Sequence, residues 1–415
     1  KTAQSIFETG HFTIHGRITD YYPPLYPILL SLSYFAKDMQ VTYLIMKFLN
    51  ILASTLIIVP TWLLAKEFLN KKNAFLATII IGLMPQNFLI SNYIMAENLF
   101  YPLFLFATYF GYRAFKDNSW QYGIVAGMIG GLAYITKFNG IAILAAFGIS
   151  SIILLFRKQS NIKTCLSIGI SYISTMSIWL IRNGIINGFT PNGLMGNYVS
   201  EVTNIQPQNI FLNYITWILI YLSALMLASG IILFIEAIRT IQKSNKTRNL
   251  SIFITLSLSL IFFFTIGAAQ HNLQATTIST LIPWLTGRIL LRYTDMLLPL
   301  ILILGLIGLR YNSIKLKKVS KLFLAILILL SSQLLFFPLF PPNNSSLSLF
   351  GAMQQILGIG WIFAIILFLI FIYWITNKFI SMKKSIAYLL IIFFIISSTL
   401  GLAANIYNVK TFWYN

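Results

Sequence analysis

Residues 95–116 read MAENLFYPLFLFATYFGYRAFK, and the charges at the two ends of this stretch decide the fold. An acid, Glu97, stands before an apolar run over 98–113, and two bases, Arg113 and Lys116, close it. A helix needs about 20 apolar residues to cross a bilayer, with about 17 as the usual minimum, so the run is a short membrane span. The same arrangement repeats along the chain. Lys and Arg fall into every second gap between hydrophobic stretches: Lys66, Lys71 and Lys72; Arg113 and Lys116; Arg157, Lys158 and Lys163; Arg239, Lys243, Lys246 and Arg248; Arg310, Lys315, Lys317, Lys318 and Lys321; Lys378, Lys383 and Lys384. These six gaps hold 20 of the 29 basic residues, and the positive-inside rule turns them to the cytoplasm. The alternate gaps then face outward, and the few charges left there need another explanation.

Composition agrees with a membrane protein. Hydrophobic residues make up 58% of the chain, charged residues 9%, and the mean hydropathy is +0.80, which excludes an ordinary soluble domain. The net charge of +20 is spread over short loops, where it reads as a topology signal beside anionic headgroups rather than as a nucleic-acid surface. Cys165 is the only cysteine, so neither a disulfide framework nor a thiolate metal site is available. Apolar runs at 41–65, 74–92, 98–113, 119–135, 138–156, 164–181, 212–235, 250–269, 294–309, 322–338, 355–376 and 385–405 predict an all-α, polytopic fold with about 12 transmembrane helices. The division expected is an outer-face loop over 1–40, a transmembrane helical domain over 41–405 and an outer-face tail over 406–415. The chain opens on the polar stretch KTAQSIFETGHFTIHGRITD, which reads as the inside of an outer loop whose preceding span lies upstream. PLYPILLSLSYFA, from Pro24 to Ala36, is too short to span and suits an interfacial or re-entrant helix. Ala126, Gly127, Gly130, Gly131 and Ala133 form a run of small residues suited to close helix packing.

The outward charges are the candidates for chemistry. Glu97 lies at the membrane boundary, where an acid at a helix N-terminus is favoured by the macrodipole and is equally placed to act on a ligand. Lys137 interrupts AYITKFNG against the positive-inside bias; it either snorkels to the headgroups or captures a phosphate. Arg182 ends the string WLIRNG. Arg288 and Arg292, four apart in GRILLRYTDMLLP, would share one face if that segment is helical, although Arg292 has Asp295 three residues on as a local partner. Arginine forks match phosphate oxygens. His11 and His15 near Glu8 and Asp20 could ligate a metal, as could His271, but their spacing matches no strong motif. Asp20 enters the short helix either as a base or as a cap.

Four strings together, YYPPLYPILLSL at 21–32, MAENLFYPLFLFATYF at 95–110, GLAYITKFNG at 131–140 and RYTDMLLPL at 292–300, resemble the C-type glycosyltransferase superfold. The likeness is to the group holding protein O-mannosyltransferases and aminoarabinose transferases. It implies transfer of a hexosyl or pentosyl unit from a polyprenyl-phosphate sugar to a lipid, glycan or protein acceptor, on the extracytoplasmic face of a prokaryotic plasma membrane, generally by inverting displacement. Interfacial helices in the first outer loop, and an acidic motif upstream of Lys1, belong to the same pattern. Under it Glu97 and Asp20 are the catalytic candidates. Lys137, Arg182, Arg288 and Arg292 would hold the carrier phosphate, and Tyr22, Tyr26 and Tyr293 would touch acceptor or sugar. No cofactor is named, and a divalent metal ion is left open. The partners are the lipid-linked donor, its acceptor and the bilayer, with no nucleic acid. Two rivals fit the span number: a transporter or flippase, which should carry ionisable residues near the bilayer midplane, and a glycan polymerase or ligase using lipid pyrophosphates.

Overall fold

The computed structural model describes residues 1–19, 22–196, 199, 210–243, 247–273, 282, 284, 285, 287, 289–309, 316–336, 393–403 and 406. The expected spans at 355–376 and over the start of 385–405 lie outside these residues. Each of the first ten apolar runs is helical over most of its length. Among the described residues, five helical stretches are long and apolar enough to cross a membrane: Met39–Ala65, Phe138–Phe156, Ile162–Asn187, Ile210–Ala228 and Arg248–Asn272. The described residues therefore support a polytopic helical protein without reaching the number of twelve.

In chain order the first elements are α1 (Thr2–Thr9), the strands β1 (Thr13–Ile14) and β2 (Arg17–Ile18), α2 (Leu25–Ser31), α3 (Met39–Thr55), α4 (Ile58–Ala65), α5 (Lys71–Gly82) and α6 (Pro85–Ile90). They continue with α7 (Glu97–Asp117), α8 (Trp120–Tyr134), α9 (Ile141–Phe156), α10 (Ile162–Asn187) and α11 (Pro191–Met195). Polar residues set the starts. Asp38 accepts from Gln40 and Val41 N–H at 2.7 and 3.0 Å, and Asn161 accepts from Thr164 N–H at 2.8 Å. Asn118 ends α7 in the left-handed region at φ 50°. The hairpin β1–β2 turns through His15 and Gly16, both at positive φ, as a two-residue loop requires.

Breaks appear where periodicity showed continuous runs. The run over 74–92 divides before Pro85, which cannot donate to the preceding turn and instead starts α6. The run over 212–235 divides at Gly230, whose φ of 80° leaves helical space. The run over 294–309 opens as a 3-10 turn, Asp295–Leu297, before the helix Leu298–Gly308.

The chain forms two compact units, each drawn from several segments. The first comprises residues 1–60, 91–205 and 247–264. In it α8 lies against α10, and the predicted small-residue stripe is the reason. A methyl group on Gly127 would collide with Ser171 and the Ile168 carbonyl, and one on Gly131 would meet Thr175 Cβ at 2.5 Å. Phe264 packs edge-on against Phe100 and Phe104 of α7. At the far end Arg248 donates to the carbonyls of Phe115, Lys116 and Gln159, satisfying groups near the C-terminal ends of α7 and α9.

The second unit comprises residues 61–90, 206–246 and 265–415. Its helices Ile232–Gln242 and Leu298–Gly308 touch backbone to backbone, since side chains at Gly305 and Gly308 would strike the carbonyls of Leu233 and Glu236. Thr240 donates to the Leu304 carbonyl across that contact at 2.9 Å. Glu236 is buried there and pairs with Arg239, one turn on.

Candidate functional site

The first unit gathers three of the four quoted strings at one end of its helices. The corner MAEN is shaped by Asn98, whose amide donates to the carbonyls of Tyr93 and Met95 at 2.8 and 3.1 Å. Glu97 consequently opens α7, where the helix dipole favours a carboxylate. Lys137 lies in the connection between α8 and α9. Its N–H still closes α8 on the Ala133 carbonyl at 2.9 Å, while its own backbone is extended. Gly140 completes the turn. A Cβ there would lie 2.5 Å from the Tyr134 backbone, and the Gly140 carbonyl accepts from the buried Tyr172 hydroxyl at 2.7 Å.

These two corners meet. Lys137 Nζ donates to Glu97 Oε1 at 2.7 Å, with side chains 16% and 4% exposed. Forty residues of sequence separate the partners. Both side chains are largely enclosed, the carboxylate more so than the lysine. Such a pair is costly to desolvate, and each partner offsets part of that cost for the other.

The YYPPLYP string forms the neighbouring wall. Leu25 N–H donates to the Ile135 carbonyl at 2.9 Å, tying α2 to the segment that carries Lys137. Tyr26 is 8% exposed, and its hydroxyl donates to Asn50 Oδ1 at 2.8 Å. Burial, seconded by the Glu97 charge, pushes the Tyr26 phenol well above its ordinary range, so it stays protonated. Tyr22, by contrast, is exposed. Arg182, near the end of α10, donates through Nη1 to the Thr19 carbonyl at 2.8 Å and to Asn183 Oδ1 at 2.9 Å. Its guanidinium lies over Trp179 and Phe12, 4.7 and 5.4 Å from the ring centroids. Arg182 therefore anchors the N-terminal hairpin region, a bond the sequence did not show. Asp20, the next residue after Thr19, lies outside the described residues.

The fourth string belongs to the second unit. Tyr221 is fully buried, and its hydroxyl accepts from Asn272 Nδ2 at 3.0 Å and from Leu290 N–H at 3.3 Å. That fixes the backbone just before Arg292, whose guanidinium lies 5.4 Å from the Tyr293 ring centroid. His271 meets the same ring edge-on at 4.9 Å. Residues 289 and 290 are not helical, so the shared helical face expected for Arg288 and Arg292 does not form; Arg288 itself lies outside the described residues. His15 contacts Lys1 Nζ at 2.7 Å, and among the described residues no three His, Cys, Asp or Glu side chains gather as a metal site.

Asn50 and Asn272 were missed by sequence reasoning. Asn50 is a carboxamide inside an apolar run, and that isolation could have flagged it; Asn272 lies just past the run over 250–269, in the polar string AQHN, and gave no such signal.

Residues 22–180 match the family model described as dolichyl-phosphate-mannose-protein mannosyltransferase, a segment that contains Tyr26, Asn50, Glu97 and Lys137. By structure the chain is similar to ArnT from Cupriavidus metallidurans bound to undecaprenyl phosphate, with a TM-score of 0.57 at 13% identity over 96% of this chain and 71% of that one. The same protein in the apo state gives 0.54 at 14% identity, over 96% and 70%. No curated protein matches by sequence. The chain thus carries the C-type glycosyltransferase fold and resembles the O-mannosyltransferase and ArnT group.

Proposed function

We propose that this protein is a membrane glycosyltransferase that takes a hexosyl or pentosyl unit from a polyprenyl-phosphate carrier and gives it to an acceptor on the extracytoplasmic face. The observation that carries the reading is the Glu97–Lys137 pair, 2.7 Å apart with side chains 4% and 16% exposed, at the helix ends opposite the lysine-rich gaps. A midplane ion site, as a transporter needs, would place such a pair far from the connections that hold it here.

The chemistry follows from charge. An acceptor hydroxyl attacks the anomeric carbon and loses its proton to a base; the bond from that carbon to the phosphate oxygen breaks, and its electron pair leaves with the carrier. Negative charge grows on the phosphate, and an ammonium aimed at it lowers the barrier. Lys137 is that ammonium. Glu97, held 2.7 Å away, orients Lys137, so its part is electrostatic. Asp20 is the proposed base, and Arg182 a second phosphate contact beside its anchoring role. Arg288, Arg292 and Tyr293 keep the phosphate and sugar roles that the resemblance gives them. A single displacement inverts the anomeric centre.

The test is an assay of the purified protein in vesicles against polyprenyl-phosphate sugars, nucleotide sugars and polyprenyl-pyrophosphate glycans. Release of free polyprenyl phosphate from the first class alone is expected. Turnover of pyrophosphate donors instead, or of none, overturns the reading.

A further inference from the structure

Asn50 has no part in the chemistry above, yet it is the most enclosed polar side chain beside the ion pair. It sits in the apolar α3 and is 0% exposed. Its Oδ1 accepts the Tyr26 hydroxyl, while its Nδ2 finds no partner among the described residues. Burying an amide with half of its hydrogen-bonding capacity unused is unfavourable, and an aliphatic side chain would fill the same space at lower cost. Its value must therefore lie in what the retained bond holds in place.

That bond fixes Tyr26, and Tyr26 stands between the supports of both charges. On one side it belongs to a cluster against which Ala96 and Leu99, flanking Glu97 and Asn98, pack. On the other side its neighbour Leu25 is bonded to the Ile135 carbonyl, two residues before Lys137. We propose that Asn50 and Tyr26 are positioning residues that lock the Glu97 corner and the Lys137 connection into the geometry that receives the carrier's phosphate. This rests on the reading of the ion pair as the phosphate site. Neither residue touches the ligand; they act through the pair. Tyr26 thereby changes from a surface contact for sugar or acceptor to a buried strut. Misplacement of a charged group by about 1 Å is enough to lose much of its effect on a bound phosphate.

The experiment measures the affinity of the full protein, in nanodiscs of one zwitterionic lipid, for polyprenyl phosphate alone. Tyr26→Phe and Asn50→Leu are each compared with wild type and placed in a Glu97→Gln, Lys137→Met background, which removes both charges without leaving one buried. Each single change is expected to weaken binding by about tenfold, the scale of one hydrogen bond to a charged network, and to weaken the neutral background no further. A structural defect would instead lower affinity equally in both backgrounds. Equal losses in both backgrounds, or no loss from Tyr26→Phe, overturn the inference while leaving the ion pair in place. If the neutral background binds as wild type does, the phosphate reading itself falls and takes this inference with it. Tyr26→Phe removes a single oxygen, so it carries the test should Asn50→Leu fail to fold.

Discussion

The two ends of α7 carry two ion pairs built on opposite principles. At the first end Glu97 meets Lys137 across forty residues of sequence, with the carboxylate almost fully enclosed. At the other end Arg113 meets Asp117 one turn along the same helix at 2.8 Å, with side chains 26% and 32% exposed. The local pair needs only a helix, and its Arg113 also lies over the Tyr122 ring, 4.9 Å from the centroid. The distant pair needs α7, the α8–α9 connection and α2 to be assembled first. A charge pair that only the tertiary fold can form, and that the fold then hides from water, is a poor device for stability and a suitable one for holding an ammonium ready. The half-exposed pair is a surface feature of the gap that sets orientation.

Substitutions should separate the two ends sharply. The largest effect is expected from Glu97→Gln, which should lower the rate of sugar transfer by at least about a hundredfold, as loss of a preorganised electrostatic group does. Initial rates in vesicles check this, and full activity would remove Glu97 from the site. Next comes Lys137→Ala, which takes the ammonium away from a buried carboxylate and should cost about 3–5 kcal/mol of stability. Glu97→Gln combined with Lys137→Met should recover most of that loss in denaturant titrations while transfer stays abolished. Recovery of both, or of neither, would break the distinction between a functional and a structural pair.

Between the ends, Gly127→Val should destabilise the α8–α10 contact by about 1–3 kcal/mol through overpacking against Ser171 and the Ile168 carbonyl. It should do so without changing donor specificity. The smallest effect belongs to Asp117→Asn, where an exposed pair four residues apart contributes about 0.3–0.5 kcal/mol. Its loss should vanish in high salt, and transfer should be unchanged. A large loss of transfer there would show that the two ends are not as different as their burial makes them.

Much of the site was legible one residue at a time. Glu97 and Lys137 stood out because each is a charge where the topology calls for none. Their encounter was not legible, because no spacing rule links a residue at a helix start with one in a connection forty residues on. Arg182 was singled out as a cation, but its bond to the Thr19 carbonyl depends on a loop returning to the end of α10. The four-residue spacing of Arg288 and Arg292 suggested a helix, but none runs through Leu290. Backbone conformation at Leu290, φ −121° and ψ 81°, is extended, and the Tyr221 hydroxyl bonded to its N–H holds it so.

The sequence by itself determined that the chain is built of membrane helices and which connections carry the lysines. It also gave the small-residue stripe that lets α8 approach α10. These follow from hydrophobic length, net charge and side-chain volume, which each segment carries on its own. Only the tertiary structure decided that Glu97 and Lys137 form one enclosed pair, that Tyr26 points inward to Asn50, and that Arg182 holds a backbone carbonyl. Those outcomes depend on which buried polar groups find each other once the helices pack, a choice made by three-dimensional proximity and the cost of leaving any of them alone.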